Sequence, residues 1–511
     1  MPRGPLVVLG IDGGDPAWLR TWAAEGWLPT LAGVIERGCW GETGGAELIS
    51  EHGVWVSLFS GVSRGQHGYF YFRQLEPGTY DLRGATGNDL GVAPFWAPRA
   101  GSDRRVVTID VPDVRPLPGL NGLQVADWAS HNNWDPAAYP FRTEPSELAA
   151  EIVRDYGGPL VTHEVHQNRV ITDQAIRETL LNRVARKGAL CRNLLARDGI
   201  DLAVAVFAES HVANHQFWTY RPEIGGNAPA EAPELATAIR EVYAAIDREW
   251  GRILARLPAD ADVVVVSSVG MADDFPTTGL IEDFLRRLGY QVSPNGQGGG
   301  SWKPLDLARR VVPEPWRAAL SRRLSRPRRE RLLAEGFRKG TDWSRTSAFA
   351  IPGAYTSFVR VNLRGREPGG IVDPGAEYSA LLDRLEADLA LLVDPESREP
   401  AVDRVIRTTE LFGAGAHAAL PDLFVEWKPG RFLTRVRHPA ADVVQSRPDF
   451  YRRSDHSGSG FFAAAGPSIS GRGPLATLDA LDFAPTCLAL LGERVPEELS
   501  GKPSSAILEG V

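Results

Sequence analysis

Short, uninterrupted apolar runs recur along this chain with helical patterns between them. Leu6 to Ile11 reads LVVLGI and breaks into Asp12-Gly13-Gly14, as a buried strand does where it opens into a loop. Further buried-strand candidates fall around Cys39–Glu42 and at Arg105–Val111, Asp201–Phe207 (DLAVAVF) and Asp262–Ser267, with late ones at Tyr355–Asn362, Asp422–Trp427 and Gly460–Ala464. Trp18–Arg37 reads as a helix interrupted near Pro29, and further helical patterns lie at Asp173–Leu195, Ala232–Leu257 and Tyr378–Leu392. Strands buried on both faces and alternating with helices predict an α/β chain: one mostly parallel central sheet, covered on both faces, with helical insertions.

Bulk properties remove several alternatives. At 511 residues, with 43% apolar and 23% charged residues, the chain can build a large core and is not disordered as a whole. A net charge of −8 gives no global electrostatic basis for a nucleic-acid partner. Cys39, Cys191 and Cys487 are far apart and form no CxxC pair, which suits a reducing compartment. The N-terminus runs into a strand without a signal-peptide core, and no window approaches the ~18 apolar residues of a membrane span. The expectation is a cytoplasmic protein acting on a small-molecule substrate, with neither nucleic acid nor membrane as partner.

Two stretches read as inserted. Ala138 to Arg197 is largely helical and is expected as a cap at the sheet edge. Pro294 to Ser301 (PNGQGGGS) is a flexible linker, and Trp302–Gly340 beyond it carries twelve Lys/Arg against four Asp/Glu, a basic helical excursion. Residues 1–293 and 341–511 are then the α/β core, with a cap at about 138–197, and 294–340 is the insertion.

The segment richest in chemistry is Glu209-Ser-His211-Val-Ala-Asn-His215-Gln-Phe-Trp218, directly after the strand ending at Phe207. Open α/β sheets bind ligands at the carboxyl ends of their strands. A helix starting near Ser210 puts His211 and His215 at i and i+4 on one face, where two imidazoles can grip one cation or can instead stack and cap. His456 lies in the polar loop Arg453-Ser-Asp-His456-Ser-Gly-Ser-Gly460, and Asp12 ends the first strand. Taken singly, His456 is an ordinary loop residue and Asp12 equally a turn former before glycine.

In order along nearly the whole chain, several segments resemble the alkaline phosphatase superfamily, in its type I phosphodiesterase/nucleotide pyrophosphatase branch. They are VVLGIDGGDPAWLRTWAAEGWLPTLAGVIERGCWG, VWVSLFSGVSRGQHGYFYF, DVPDVRPLPGLNGLQVADW, VNLRGREPGGIV, LPDLFVEW, and HSGSGFFAAAGPSI followed by LDFAPTCLALLG. The resemblance implies a two-metal site, usually zinc, with the ions about 4 Å apart. One metal is held by an Asp-x3-His pair and a late histidine. The other is held by the first aspartate, an Asp-His pair in Ser-Asp-His-Gly, and a Ser/Thr nucleophile. Carried over, the first aspartate is Asp12, the pair is His211 and His215, and the late histidine is His456; the pair's aspartate has become histidine. Ser-Asp-His-Gly falls on Ser267-Ser268-Val269-Gly270, and the nucleophile position, counted back from Ser60-Gly61 with Trp55 fixed, falls on Glu51 between Ser50 and His52.

Three imidazoles are a ligand set for zinc holding an activated water, with iron or manganese as alternatives. Asp12 and Glu51 are left to hold a weak second cation, with Ser268 or His52, or Glu51 serves as general base. Ser50 is read either as a nucleophile shifted to the helix start or as that helix's N-cap. His67, in Gln66-His67-Gly68, is read as structural. The function implied is hydrolysis of a phosphate ester, phosphodiester or pyrophosphate by metal-bound water at a mononuclear site. Non-phosphoryl chemistry at the three-histidine metal, and an inactive metal-containing binding protein, are the alternatives.

Overall fold

The computed structural model describes residues 4–50, 52–97, 103–130, 139–160, 172–197, 199–222, 226–294, 326–446 and 453–508. The central sheet contains β1 (Leu6–Ile11), β2 (Cys39–Gly44), β3 (Val106–Ile109), β4 (Gly122–Ala126), β5 (Leu202–Phe207), β6 (Asp262–Val266) and, late in the chain, a strand at Gly460–Ala465. In space they run β2, the late strand, β6, β1, β5, β3, β4. The five from β6 to β4 are parallel, and the late strand is antiparallel to both its neighbours. The sheet is the mostly parallel one expected.

Side-chain alternation explains its two covered faces. Val7, Leu9 and Ile11 of β1 join Ala203, Ala205 and Phe207 of β5 in one core; Leu6 and Val8 join Leu202, Val204 and Val206 in the other. Against the first face pack α1 (Asp173–Leu195) and, later in the chain, the helix Ala238–Leu254. The second face is covered by Val54–Ser60 and Phe483–Leu490. The region Trp18–Arg37 is two helices, Pro16–Ala24 and Pro29–Arg37, each with proline in its first turn where the absent N–H costs nothing.

Two late strands differ from expectation. Ser357–Val361 and Leu423–Trp427 do not join the central sheet; with Ala348–Ile351 and Val402–Arg407 they form a separate antiparallel sheet with its own core, against the helix Ala376–Ala390. An apolar run carries no signal of strand direction, so periodicity could not separate these from parallel neighbours. Within 138–197, Arg142–Glu144 adds an antiparallel edge strand, while α1 buries Ile176, Leu180 and Val184 in the main core. Of the basic stretch, 301–325 lies outside the described residues. Arg326–Lys339 is a helix outside the sheets, tied to Arg73 by Glu330 at 2.8 Å. Among the described residues no helix is long and apolar enough to cross a membrane.

Candidate metal centre

β1 delivers Asp12 to the carboxyl edge of the sheet, and β5, in register with it, leads into α2 (Glu209–Phe217). The two are laced together: Ser210 Oγ donates to the Asp12 carbonyl at 2.6 Å, while Asn214 Nδ2 and the Tyr243 hydroxyl donate to the Gly13 carbonyl at 2.7 and 3.0 Å. Gly13 has φ +65°, and a Cβ there would meet Asn214 Nδ2 at 3.3 Å and His211 Cα at 3.5 Å, so both conformation and space call for glycine. Ser210 and Asn214 thus anchor one face of α2, and the adjacent face presents His211 and His215.

Glu209, in the first turn of α2, points away into a fully buried charge cluster. Its carboxylate is 3.3 Å from Arg183 Nε and 3.4 Å from Lys187 Nζ, and Lys187 also reaches Asp110 at 3.2 Å. Asp110 in turn accepts from the backbone N–H groups of Trp128 and Ala129. This cluster clamps α2 to α1 and to the end of β3.

His456 arrives from the other side on a short strand, Ser454–Ser457, paired antiparallel with Gly270–Asp273 so that His456 faces Met271. The ring centres of His211, His215 and His456 lie 4.7, 4.9 and 5.1 Å apart, and their candidate ligand atoms fall within 4.8 Å of one another. Metal–nitrogen bonds of about 2.1 Å and an imidazole radius of about 1.1 Å set ring centres roughly 5.2 Å apart around one tetrahedral ion. The three residues fit one cation. Asp12 stands beside them, with Oδ2 at 3.4 Å from His211 Nδ1, and Trp55 Nε1 donates to its Oδ1 at 2.8 Å. His215 Nδ1 is 3.0 Å from Ser454 Oγ.

No family model matches the sequence, and a comparison with curated proteins gives no match. Solved structures do match over nearly the whole chain. Phosphonoacetate hydrolase from Sinorhizobium meliloti 1021, in complex with phosphonoacetate, is 14% identical with a TM-score of 0.50, covering 96% of each chain. Murine ectonucleotide pyrophosphatase/phosphodiesterase 5 is 12% identical with a TM-score of 0.48, covering 98% of this chain and 97% of that one. The fold is alkaline-phosphatase-like. At this identity the likeness is one of fold, and the site must be read from its own residues.

The segment Ser267-Ser268-Val269, on which the resemblance places the ligands of a second metal, offers neither a carboxylate nor an imidazole. Val269 is buried with Leu48, Val54 and Ala480, Ser268 is buried beside it, and Ser267 Oγ donates to the Val269 carbonyl at 2.8 Å. Glu51 lies outside the described residues. His52 packs its ring among Tyr71 at 4.9 Å and Phe72 at 5.5 Å. The expectation that Ser50 caps or opens a helix is corrected. The helix is Val54–Ser60, its cap is Gly53 with φ +87°, and Ser50 precedes it at φ +62°, donating Oγ–H to the Phe70 carbonyl at 2.9 Å.

Sequence reading missed Arg64. Its fully buried guanidinium donates to the carbonyls of Glu47, Ile49, Ser50 and His52, clamping the loop that leads to Val54. Burial pulls its pKa down to about 10, against the raising effect of Glu47, so it remains a cation at neutral pH. His67 sits next to it in a Ser–His–Glu arrangement with the wrong polarity for catalysis. Tyr69 N–H donates to His67 Nδ1 at 3.0 Å, so the neutral ring carries its proton on Nε2 and gives it to Ser57 Oγ at 2.9 Å. Ser57 in turn donates to Glu47 Oε2 at 2.5 Å. The ring cannot take a proton from Ser57.

Proposed function

We propose that this chain is a metal-dependent hydrolase that cleaves a phosphate ester, phosphodiester or pyrophosphate bond of a small molecule at a single-cation site. The observation that carries the reading is the trio His211, His215 and His456, at cation-binding separations on the carboxyl edge of the sheet. A divalent cation there, zinc before iron or manganese on the donor set, supplies a Lewis acid and lowers the pKa of a water it binds. The chain's own part is to hold that edge rigid. Trp55 fixes the Asp12 carboxylate, Ser210 and Asn214 fix the loop after it, and Arg64 fixes the carbonyls of Glu47, Ile49, Ser50 and His52.

Water is the proposed nucleophile, because Ser50 gives its proton to Phe70 and no hydroxyl stands at position 51. Asp12 and Glu51 are the candidate groups to accept the water's proton. The phosphonoacetate complex of the fold neighbour adds small phosphonates to the substrates worth trying. One observation favours a second reading, non-phosphoryl hydrolytic, lyase or oxidative chemistry. Val269, packed among Leu48, Val54 and Ala480, stands where the resemblance implies a ligand to the second cation of phosphoryl transfer.

The test is metal content of purified protein, followed by turnover of aryl phosphomonoesters, aryl phosphodiesters and phosphonoacetate. One equivalent of metal per chain, chelator-sensitive turnover and loss of tight binding in His215→Ala are expected. Two equivalents surviving dialysis would overturn the single-cation site. A fully loaded protein inert on every phosphorus substrate would overturn the phosphoryl reading in favour of the second.

A further inference from the structure

We infer that Ser454 is a positioning residue of the metal centre: its Oγ accepts the Nδ1–H of His215, leaving the Nε2 lone pair for the cation. This rests on the reading of His211, His215 and His456 as a cation site. Neutral imidazole carries one proton, and whichever nitrogen holds it cannot ligate. His215 Nδ1 lies 3.0 Å from Ser454 Oγ, and both residues are buried, Ser454 with no exposure at all. Were the hydroxyl the donor, Nε2 would hold the ring proton and the trio would lose a ligand. The polarity that keeps three donors is therefore the one in which serine accepts.

The strand Ser454–Ser457 explains why this hydroxyl stands where it does. Residues i and i+2 of a strand project from the same face, so Ser454 and His456 are delivered together, with Asp455 on the opposite face. Pairing of Met271 with His456 and of Asp273 with Ser454 fixes the register. One strand thus brings both a ligand and the group that sets the tautomer of a second ligand on α2. Such outer partners typically change metal affinity 10–100-fold (roughly) when removed.

The experiment uses the full chain, stripped of metal and titrated with zinc ion against a chromophoric chelator. Ser454→Ala is expected to weaken zinc binding by about 10–100-fold while keeping one equivalent per chain. Ser454→Thr, which keeps the hydroxyl, should bind within a few-fold of wild type, and Ser454→Val, its isostere without one, should resemble Ser454→Ala. Unfolding midpoints of the metal-free Thr and Val variants report any purely structural role. The inference predicts a Thr/Val gap in zinc affinity larger than their gap in metal-free stability accounts for. Equal zinc affinity of Ser454→Thr and Ser454→Val would overturn it even if Ser454→Ala does not fold. A wild-type protein that binds no zinc would overturn the cation site itself, and with it this role for Ser454. Tight wild-type binding with no Thr/Val gap overturns this role alone.

Discussion

His67→Gln isolates one buried titration next to the candidate site. Burial is the main cause that lowers the His67 pKa, with the charges of Arg64 and His417 adding to it, and the result is about 3 against an ordinary 6.5. The folded state therefore refuses a proton that the unfolded chain accepts. Stability from this residue is fully present above pH ~6.5, and it falls as the pH drops from there toward ~3. At about 1.4 kcal/mol per pH unit, moving from pH ~7 to pH ~5 should cost the wild type about 2 kcal/mol through His67. Glutamine has no titration and can still donate to Ser57, so His67→Gln should lose about 2 kcal/mol less over the same interval. Urea unfolding at the two pH values, with the slope held constant, reads the difference. Equal losses in the two proteins would refute the neutral, buried histidine and with it the polarity of the Ser57–Glu47 relay.

Two further outcomes follow from the packing behind the site. Lys187→Met removes the cation that the buried carboxylates of Glu209 and Asp110 share, and should cost about 3–5 kcal/mol in urea unfolding. Gly13→Ala forces a side chain into the left-handed region and toward Asn214, so about 1–2 kcal/mol of stability should be lost together with zinc affinity, measured by unfolding and by chelator competition.

What could be read in the sequence follows the physics of each signal. β1 announced itself because LVVLGI is apolar at every position, which only a strand buried on both faces needs. His211 and His215 were legible because helical spacing is short range. Strand direction was not, and Ser357–Val361 and Leu423–Trp427 went to the wrong sheet. Nothing in the sequence marks Arg183 and Lys187 as buried, since charged residues mostly lie at the surface, yet one helical turn apart they face Glu209 and Asp110 from inside the protein. Arg64 was illegible for the same reason, since its carbonyl acceptors are backbone atoms that no residue type records. Ser454 did leave a trace in Ser-x-His, which becomes a signal only once those residues are known to lie on a strand.

The departures from the resembling family also belong together electrostatically, and this gives position 51 its sharpest test. The implied family site sets two dications against three carboxylates and the alkoxide of its nucleophile, with no net formal charge. On the proposed reading this chain sets one dication on neutral imidazoles against Asp12 and Glu51, again with none. Losing a cation, two ligand carboxylates and a hydroxyl nucleophile while gaining Glu51 is then one coordinated change. Glu51→Gln breaks the balance without changing side-chain size. The surplus positive charge should tighten competitive inhibition by inorganic phosphate, while loss of the base should lower kcat by about 10²–10⁴. Ser50→Ala changes neither charge nor base, and removes only the hydroxyl that donates to Phe70, so kcat should hold within a few-fold. A dead Ser50→Ala beside a nearly intact Glu51→Gln would refute both the charge argument and water as nucleophile, and would return the chain to a covalent route through a shifted serine.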